Sequence, residues 1–247
     1  MGRKIIGGYV GYIVLFIIVF ITCAIAYLAL GPGTPDPRRV LTRGGLIMTD
    51  LTREELIRRA ARLGPPVLTT LEKPETVVER VPTTFFSSGG IYRVSTRPPE
   101  RPRLYVLGVW GKDGIKVLNN DPEGFFELAA NSGLKLASGA DYVTYVTTFL
   151  ESTRDFTGGV QILTKIEESW WIPSPTPEEI RQREEVIAKY TKVVEAPRLS
   201  RESSTTVVVY VIRDRALVRM QAKVESSGRI EINENVLEPE MPTVMLR

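Results

Sequence analysis

Residues 5–30 read IIGGYVGYIVLFIIVFITCAIAYLAL, an unbroken run without one charged side chain. Lipid offers the backbone no hydrogen-bonding partner, so a run this long and apolar reads as a membrane-spanning helix. At about 1.5 Å per residue it reaches roughly 39 Å, more than a hydrocarbon core of about 30 Å, so it tilts or sets its ends among the headgroups. Tyr9 and Tyr12 near one end and Tyr27 near the other are placed as interfacial aromatics. A cleaved signal peptide fits less well. Its apolar core is about 7 to 15 residues before a small-residue cleavage site, whereas Ala24-Ile25-Ala26 is followed by more apolar residues. Bulky Phe20 and polar Thr22 spoil a lipoprotein box before Cys23, and Ile6 occupies the Ser/Thr position that myristoylation of Gly2 wants. The expected organisation is a short head (1–4), a single transmembrane helix of the signal-anchor kind (5–30), a juxtamembrane linker (31–50) and a soluble body (51–247), with a possible sub-boundary near 119.

The charge supports this division. The chain carries 32 basic and 29 acidic side chains, for a formal +3. Five of the 32 and two of the 29 lie in residues 1–50, leaving 27 of each sign in the body. A neutral body lacks the electrostatic footprint of a nucleic-acid binder, so nucleic acid is not an expected partner. The chain as a whole is 43% apolar, an ordinary fraction for a protein with a packed core.

There is no histidine, and the only cysteine lies inside the apolar run. Histidine-based triads, histidine and cysteine metal sites, c-type haem attachment and intrachain disulfides are thereby excluded from the body. No phosphate-binding loop, dinucleotide fingerprint or calcium loop is present. Glu167-Glu168 beside Trp170-Trp171 superficially resembles the paired acids of a sugar site, but neighbours on a strand point to opposite faces. Asn119-Asn120-Asp121 offers oxygen ligands for a cation, against the simpler role of Asp121 as a helix cap. The reading leans away from an enzyme, and no cofactor is expected.

Gly7 and Gly11 match the small-xxx-small spacing of helix–helix contacts in membranes. The linker GPGTPDP cannot extend a helix. Arg38, Arg39 and Arg43 follow it, placed to touch lipid headgroups. Arg3, Lys4 and the α-amino group oppose these arginines across the span, and a short basic head favours an N-terminus in the cytoplasm with an extracytoplasmic body.

Thr52-x-x-Glu55 is a capping box with Leu51 and Leu56 at the staple positions, predicting a helix to about Leu63 that stops at Gly64-Pro65-Pro66. Its Arg53, Arg58, Arg59 and Arg62 suit either headgroup contact or a solvated face laced by Glu54–Arg58 and Glu55–Arg59 pairs. Strands are predicted at 76–81, 91–97, 104–110 and 115–118, with a hairpin turn at 111–114. The segment 104–110 is apolar on both faces, so it should be a central strand or lie at an interface. Helices are predicted from the Asp121 cap to near Gly133 and from the Ser138 cap with Tyr142, Val143, Val146, Phe149 and Leu150 on one face. A strand follows at 160–166. Thr176-Pro177-Glu178-Glu179 then opens a helix to about Val194 that buries Ile180, Ile187, Tyr190 and Val194. Three strands at 205–213, 216–225 and 229–236 close the chain as an antiparallel meander. The fold class is α+β, with antiparallel sheets and packed helices.

From 120 onward the order helix, helix, strand, helix, three-strand meander resembles the curved-sheet cone of cystatin-like and NTF2-like domains. A single N-terminal anchor before such a domain is similar to VirB8-type secretion proteins. The resemblance rests on element order and assigns no residues.

Trp170-Trp171-Ile172-Pro173, followed by Ser174-Pro175-Thr176-Pro177, is the stretch singled out for recognition of a partner. Tryptophans are enriched at binding hot spots and a proline-rich strip is pre-ordered. Against this, Trp171 as core and Trp170 as cover of a sheet edge weigh equally. Two functions survive. One is a single-pass, non-enzymatic subunit or scaffold whose body docks other membrane-complex or membrane-surface proteins. The other is a tethered pocket domain for a small apolar ligand.

Overall fold

The computed structural model describes residues 51–96, 104–155 and 159–244. These fall within one compact unit, Leu46–Arg247. Among them no helix is long and apolar enough to cross a membrane, and the run 5–30 lies outside them.

The body is mixed α+β with two antiparallel sheets. Thr52 caps α1 (Arg53–Ala60) by accepting the Glu55 N–H at 3.2 Å. The chain then turns through Ala61–Leu63 into α2 (Pro65–Glu72). The first helix does stop before Gly64-Pro65-Pro66, as predicted, but a second helix that the sequence did not announce starts from the same residues. The prolines sit in the first turn of a new helix, where their missing N–H groups would find no intrahelical partner anyway. Strands β1 (Val77–Val81), β2 (Gly90–Ser95), β3 (Leu104–Trp110) and β4 (Gly114–Val117) form a meander in that order. As its two-sided apolarity requires, β3 is an interior strand buried on both faces.

Helices α3 (Pro122–Asn131) and α4 (Gly139–Ser152) follow, capped by Asp121 and by a full Ser138–Asp141 capping box. Next come β5 (Val160–Leu163), a 3-10 turn at Ile166–Glu168, and α5 (Pro177–Tyr190) behind its Thr176–Glu179 capping box. A two-residue β6 (Arg198–Leu199), unforeseen in the sequence, precedes β7 (Thr206–Arg213), β8 (Ala216–Val224) and β9 (Ile230–Glu238). The second sheet runs β5-β7-β8-β9, with β6 sharing the β5 side of β7. Asp214 and Arg215, both at positive φ (51° and 66°), make the tight β7–β8 turn.

Side-chain alternation sorts the strands into three cores. Ile91 and Val106 of the first sheet, and Val207, Val209, Val211, Val218, Met220 and Ala222 of the second, face a shared core filled by Phe125, Leu128, Tyr145, Val146 and Phe149 of α3 and α4. Gly108 lets α3 approach β3, since a Cβ there would lie 3.0 Å from Leu118 and 3.1 Å from Leu128. The opposite face of the first sheet (Tyr92, Val94, Leu107, Val109, Ile115) is covered by Leu56, Ala60, Val67 and Leu71 of α1 and α2. The opposite face of the second (Val208, Tyr210, Ile212, Leu217) is covered by Val186 and Tyr190 of α5, with Leu163, Ile166 and Val194.

Three expectations are corrected. The strand predicted at 160–166 ends at Leu163, because Ile166 turns into the outer core through a 3-10 turn. Ile180, expected to be buried, is 43% exposed, and Val186 takes its place in the core. The arginines of α1 do not form one solvated face. Arg53 donates to Leu71 O at 3.0 and 2.6 Å and to Lys73 O, closing the end of α2. Arg59, 5% exposed, pairs with Glu55 at 3.0 Å and donates to Gly111 O at 3.0 Å. Arg58 binds Glu55, three residues back, and not Glu54.

Candidate functional site

Where β5 leaves the second sheet and α4 ends, an open groove of about 420 Å³ lies between the two sheets. Arg93 of β2 and Leu104 of β3 form one wall, Glu151 and Arg154 at the end of α4 lie between the walls, and Val160, Gln161, Ile162 and Trp170 form the other wall. Periodicity explains the first of these. On β2, Tyr92 and Val94 face the outer core, so Arg93 turns to the α4 side, where it pairs with Glu151. Arg154 is half-buried, and its guanidinium makes no hydrogen bond or ion pair among the described residues. The groove thus holds one neutralised pair and one unmatched positive charge.

Trp170 is 40% exposed, yet its main chain is held from both sides. Its N–H donates to Gln161 Oε1 at 2.9 Å and its carbonyl accepts Val244 N–H at 2.8 Å. The Gln161 amide also donates to Glu168 O at 2.7 Å, so both ends of that side chain are engaged. The backbone is clamped while the indole is left half in solvent.

Trp171 has a different setting. Its indole N–H donates to Glu167 O at 3.2 Å, Arg183 stacks 5.2 Å above the ring, and the ring packs on the outer core. The backbone pairs with Thr243 as an isolated bridge. The two indoles diverge, as neighbours should, although the cause is the turn after β5 and not a continuing strand. Pro173 is exposed and Pro175 half-buried, and neither lines the groove.

The other candidates have structural duties. Glu167 accepts from Thr191 at 3.0 Å and Glu168 from Thr164, so the adjacent acids serve different partners. Asp121 caps α3 by accepting Gly124 N–H at 2.8 Å. Buried Asn119 accepts Val106 N–H at 2.7 Å and donates to Leu104 O at 3.3 Å, extending the β3 pairing. Among the described residues no three acidic side chains gather as a metal site would require. Gly7, Gly11, Arg38, Arg39 and Arg43 lie outside the described residues.

The sequence signalled Trp170 but none of its neighbours in the groove. Arg93, Leu104, Glu151 and Gln161 come from separate elements, and no spacing rule links them. Arg154 could have been suspected only as a charge just beyond an apolar helix face. Compared with models of protein families, with curated proteins and with solved structures, the chain matches none.

Proposed function

We propose that the chain is a single-pass, membrane-anchored, non-enzymatic subunit whose body docks partner proteins at the membrane surface through the Trp170 groove. The observation that carries this reading is the half-exposed indole on a clamped backbone. A large aromatic on a backbone already fixed has only its two side-chain torsions left to order on binding, and such residues are where interface hot spots concentrate energy. The anchor is the run 5–30, with the glycines at 7 and 11 as its helix-packing face, the linker arginines against headgroups and the body extracytoplasmic. Residues 120–247 are read as a cone of the cystatin-like and NTF2-like kind. A helix pair lying on an antiparallel sheet supports this, as does the β8–β9 irregularity at Leu217/Val218, of the sort that bends sheets.

The pocket reading has one observation in its favour, a volume within the range of small-ligand sites with polar groups converging on it. Such sites enclose most of an apolar ligand, whereas this groove is open and half its lining side chains are polar or charged. Docking of a chain segment suits it better.

The test is photo-crosslinking from position 170 of the full chain in its native membrane, with position 193, on an exposed part of the body, as control. Specific adducts from 170, absent from 193, are expected. Adducts equal at both positions, or none, would sink the docking role. Intact mass of membrane-extracted protein should include residues 5–30. A mature N-terminus near Ala26 would remove the anchor.

A further inference from the structure

We infer that the groove takes an extended segment of a partner protein bearing a carboxylate next to an aliphatic or aromatic side chain, with the carboxylate on Arg154 and the apolar side chain on Trp170. This rests on the docking reading above.

Three observations lead to it. The first is charge. Arg93 and Glu151 neutralise each other, and Gln161 is engaged at both ends of its amide, so among the described residues Arg154 is the groove's remaining unmatched charge. A half-buried guanidinium without a partner is matched best by a carboxylate, whose two oxygens fit its fork. The second is apolar surface. Leu104, Val160, Ile162 and the Trp170 ring line the same groove, so the ligand must carry an apolar side chain close to its acid.

The third is backbone. Val160, Gln161 and Ile162 are consecutive, yet all line the groove. Alternation sends neighbouring side chains of a strand to opposite faces, so a groove touching three in a row runs along the strand's edge. Among the described residues β5 pairs with β7 alone, which leaves the other edge without a strand neighbour. An extended peptide is the ligand that uses such an edge, through main-chain hydrogen bonds. A small molecule uses only the acid and the apolar wall.

The experiment is selection of random linear peptides displayed on phage against the full chain in detergent micelles. Recovered peptides are then titrated by fluorescence anisotropy against the wild type, Trp170→Ala, Arg154→Gln and Arg154→Lys, each first shown to melt as the wild type does. The recovered peptides should carry Asp or Glu beside an apolar residue and lose about tenfold or more in affinity on Arg154→Gln. Arg154→Lys should fall between, because it keeps the charge but not the fork. Changing the peptide's acid to its amide should erase the difference between wild type and Arg154→Gln.

Peptides that depend on Trp170 but are indifferent to Arg154 would overturn the acid preference and leave the docking role standing. Peptides indifferent to Trp170, or none recovered, would overturn both. Dodecanoate binding that needs both Arg154 and Trp170, where peptides fail, would replace the peptide with a small amphiphile.

Discussion

The two sheets are each roofed by helix, but not in the same way. Over the first sheet, α1 and α2, eight residues each, press Leu56, Ala60 and Leu71 into complete exclusion from water. Over the second, the 14-residue α5 buries only Val186 and Tyr190 and leaves Ile180 in solvent. The cause lies in the strands beneath. The outer face of the first sheet is apolar on β2, β3 and β4, so a wide roof gains from covering it. On the second, β7 presents Val208, Tyr210 and Ile212, whereas β8 presents Leu217 and then Arg219, Gln221 and Lys223. A roof extends only as far as apolar surface rewards it. The proposed docking groove lies elsewhere, on the shared-core side of the second sheet, where Val160 and Ile162 of β5 meet Arg93 and Leu104 of the first.

Truncating each roof in turn tests how far the two differ. Leu71→Ala should destabilise the body by about 3 kcal/mol, as loss of a fully buried leucine does. Ile180→Ala should change stability by no more than about 0.5 kcal/mol. Equal effects in urea unfolding would mean that the roofs are not different in kind. Next in size, Gly108→Ala should cost about 2 kcal/mol, because the added methyl meets Leu118 and Leu128 where α3 is closest to β3. Tolerance there would show that the shared core yields more than its packing implies.

The adjacent tryptophans sharpen the contrast within a single turn. Trp171→Ala should lower stability by about 2 kcal/mol through lost packing on the outer core and the lost Arg183 stack. Trp170→Ala should lower it by less than about 1 kcal/mol while weakening the binding of recovered peptides. Thermal unfolding of the two variants side by side decides this, and the reverse order would move Trp170 into the core.

The smallest effect concerns acid. Hydrogen bonds from Arg58 and then Arg59 hold the Glu55 carboxyl down, from 4.5 to about 2. Because the unfolded chain takes up that proton first, the pairing stabilises fully above pH 4.5 and is lost as pH falls toward about 2. Glu55→Gln should therefore flatten the decline of stability across that interval relative to wild type. Parallel acid titrations followed by circular dichroism would reveal whether it does.

Local signals are legible in the sequence because they act over a few residues. Thr52, Asp121, Ser138 and Thr176 cap the helices expected of them, and the turns at 111–114 and 214–215 join the strands predicted on either side. The misses share a different cause. The Pro65-Pro66 helix is hidden because the same dipeptide ends helices and begins them; here it stands at both an end and a beginning, and only the sheet beneath, receiving Val67 and Leu71, adds the second role. At Ile180 the helical period was right but the extent of the roof was not, since that depends on what the strands below present. The arginines of α1 show the same limit, as Arg53 and Arg59 find their acceptors 18 and 52 residues away.

Alone, then, the sequence determines an uncharged apolar run of membrane-spanning length, a neutral body and the lack of histidine and of any cysteine beyond that run, together with the order and class of nearly every element. These follow from composition and from interactions a few residues apart, which a single chain displays openly. The tertiary structure decided that one helix pair fills a core shared by two sheets, that Trp170 and Trp171 part company, and that Arg154 is left unmatched in a groove bordered by Arg93, Leu104 and Gln161. Those groups meet only when separate sheets close over α3 and α4, and no pattern along the chain records a distance across a core.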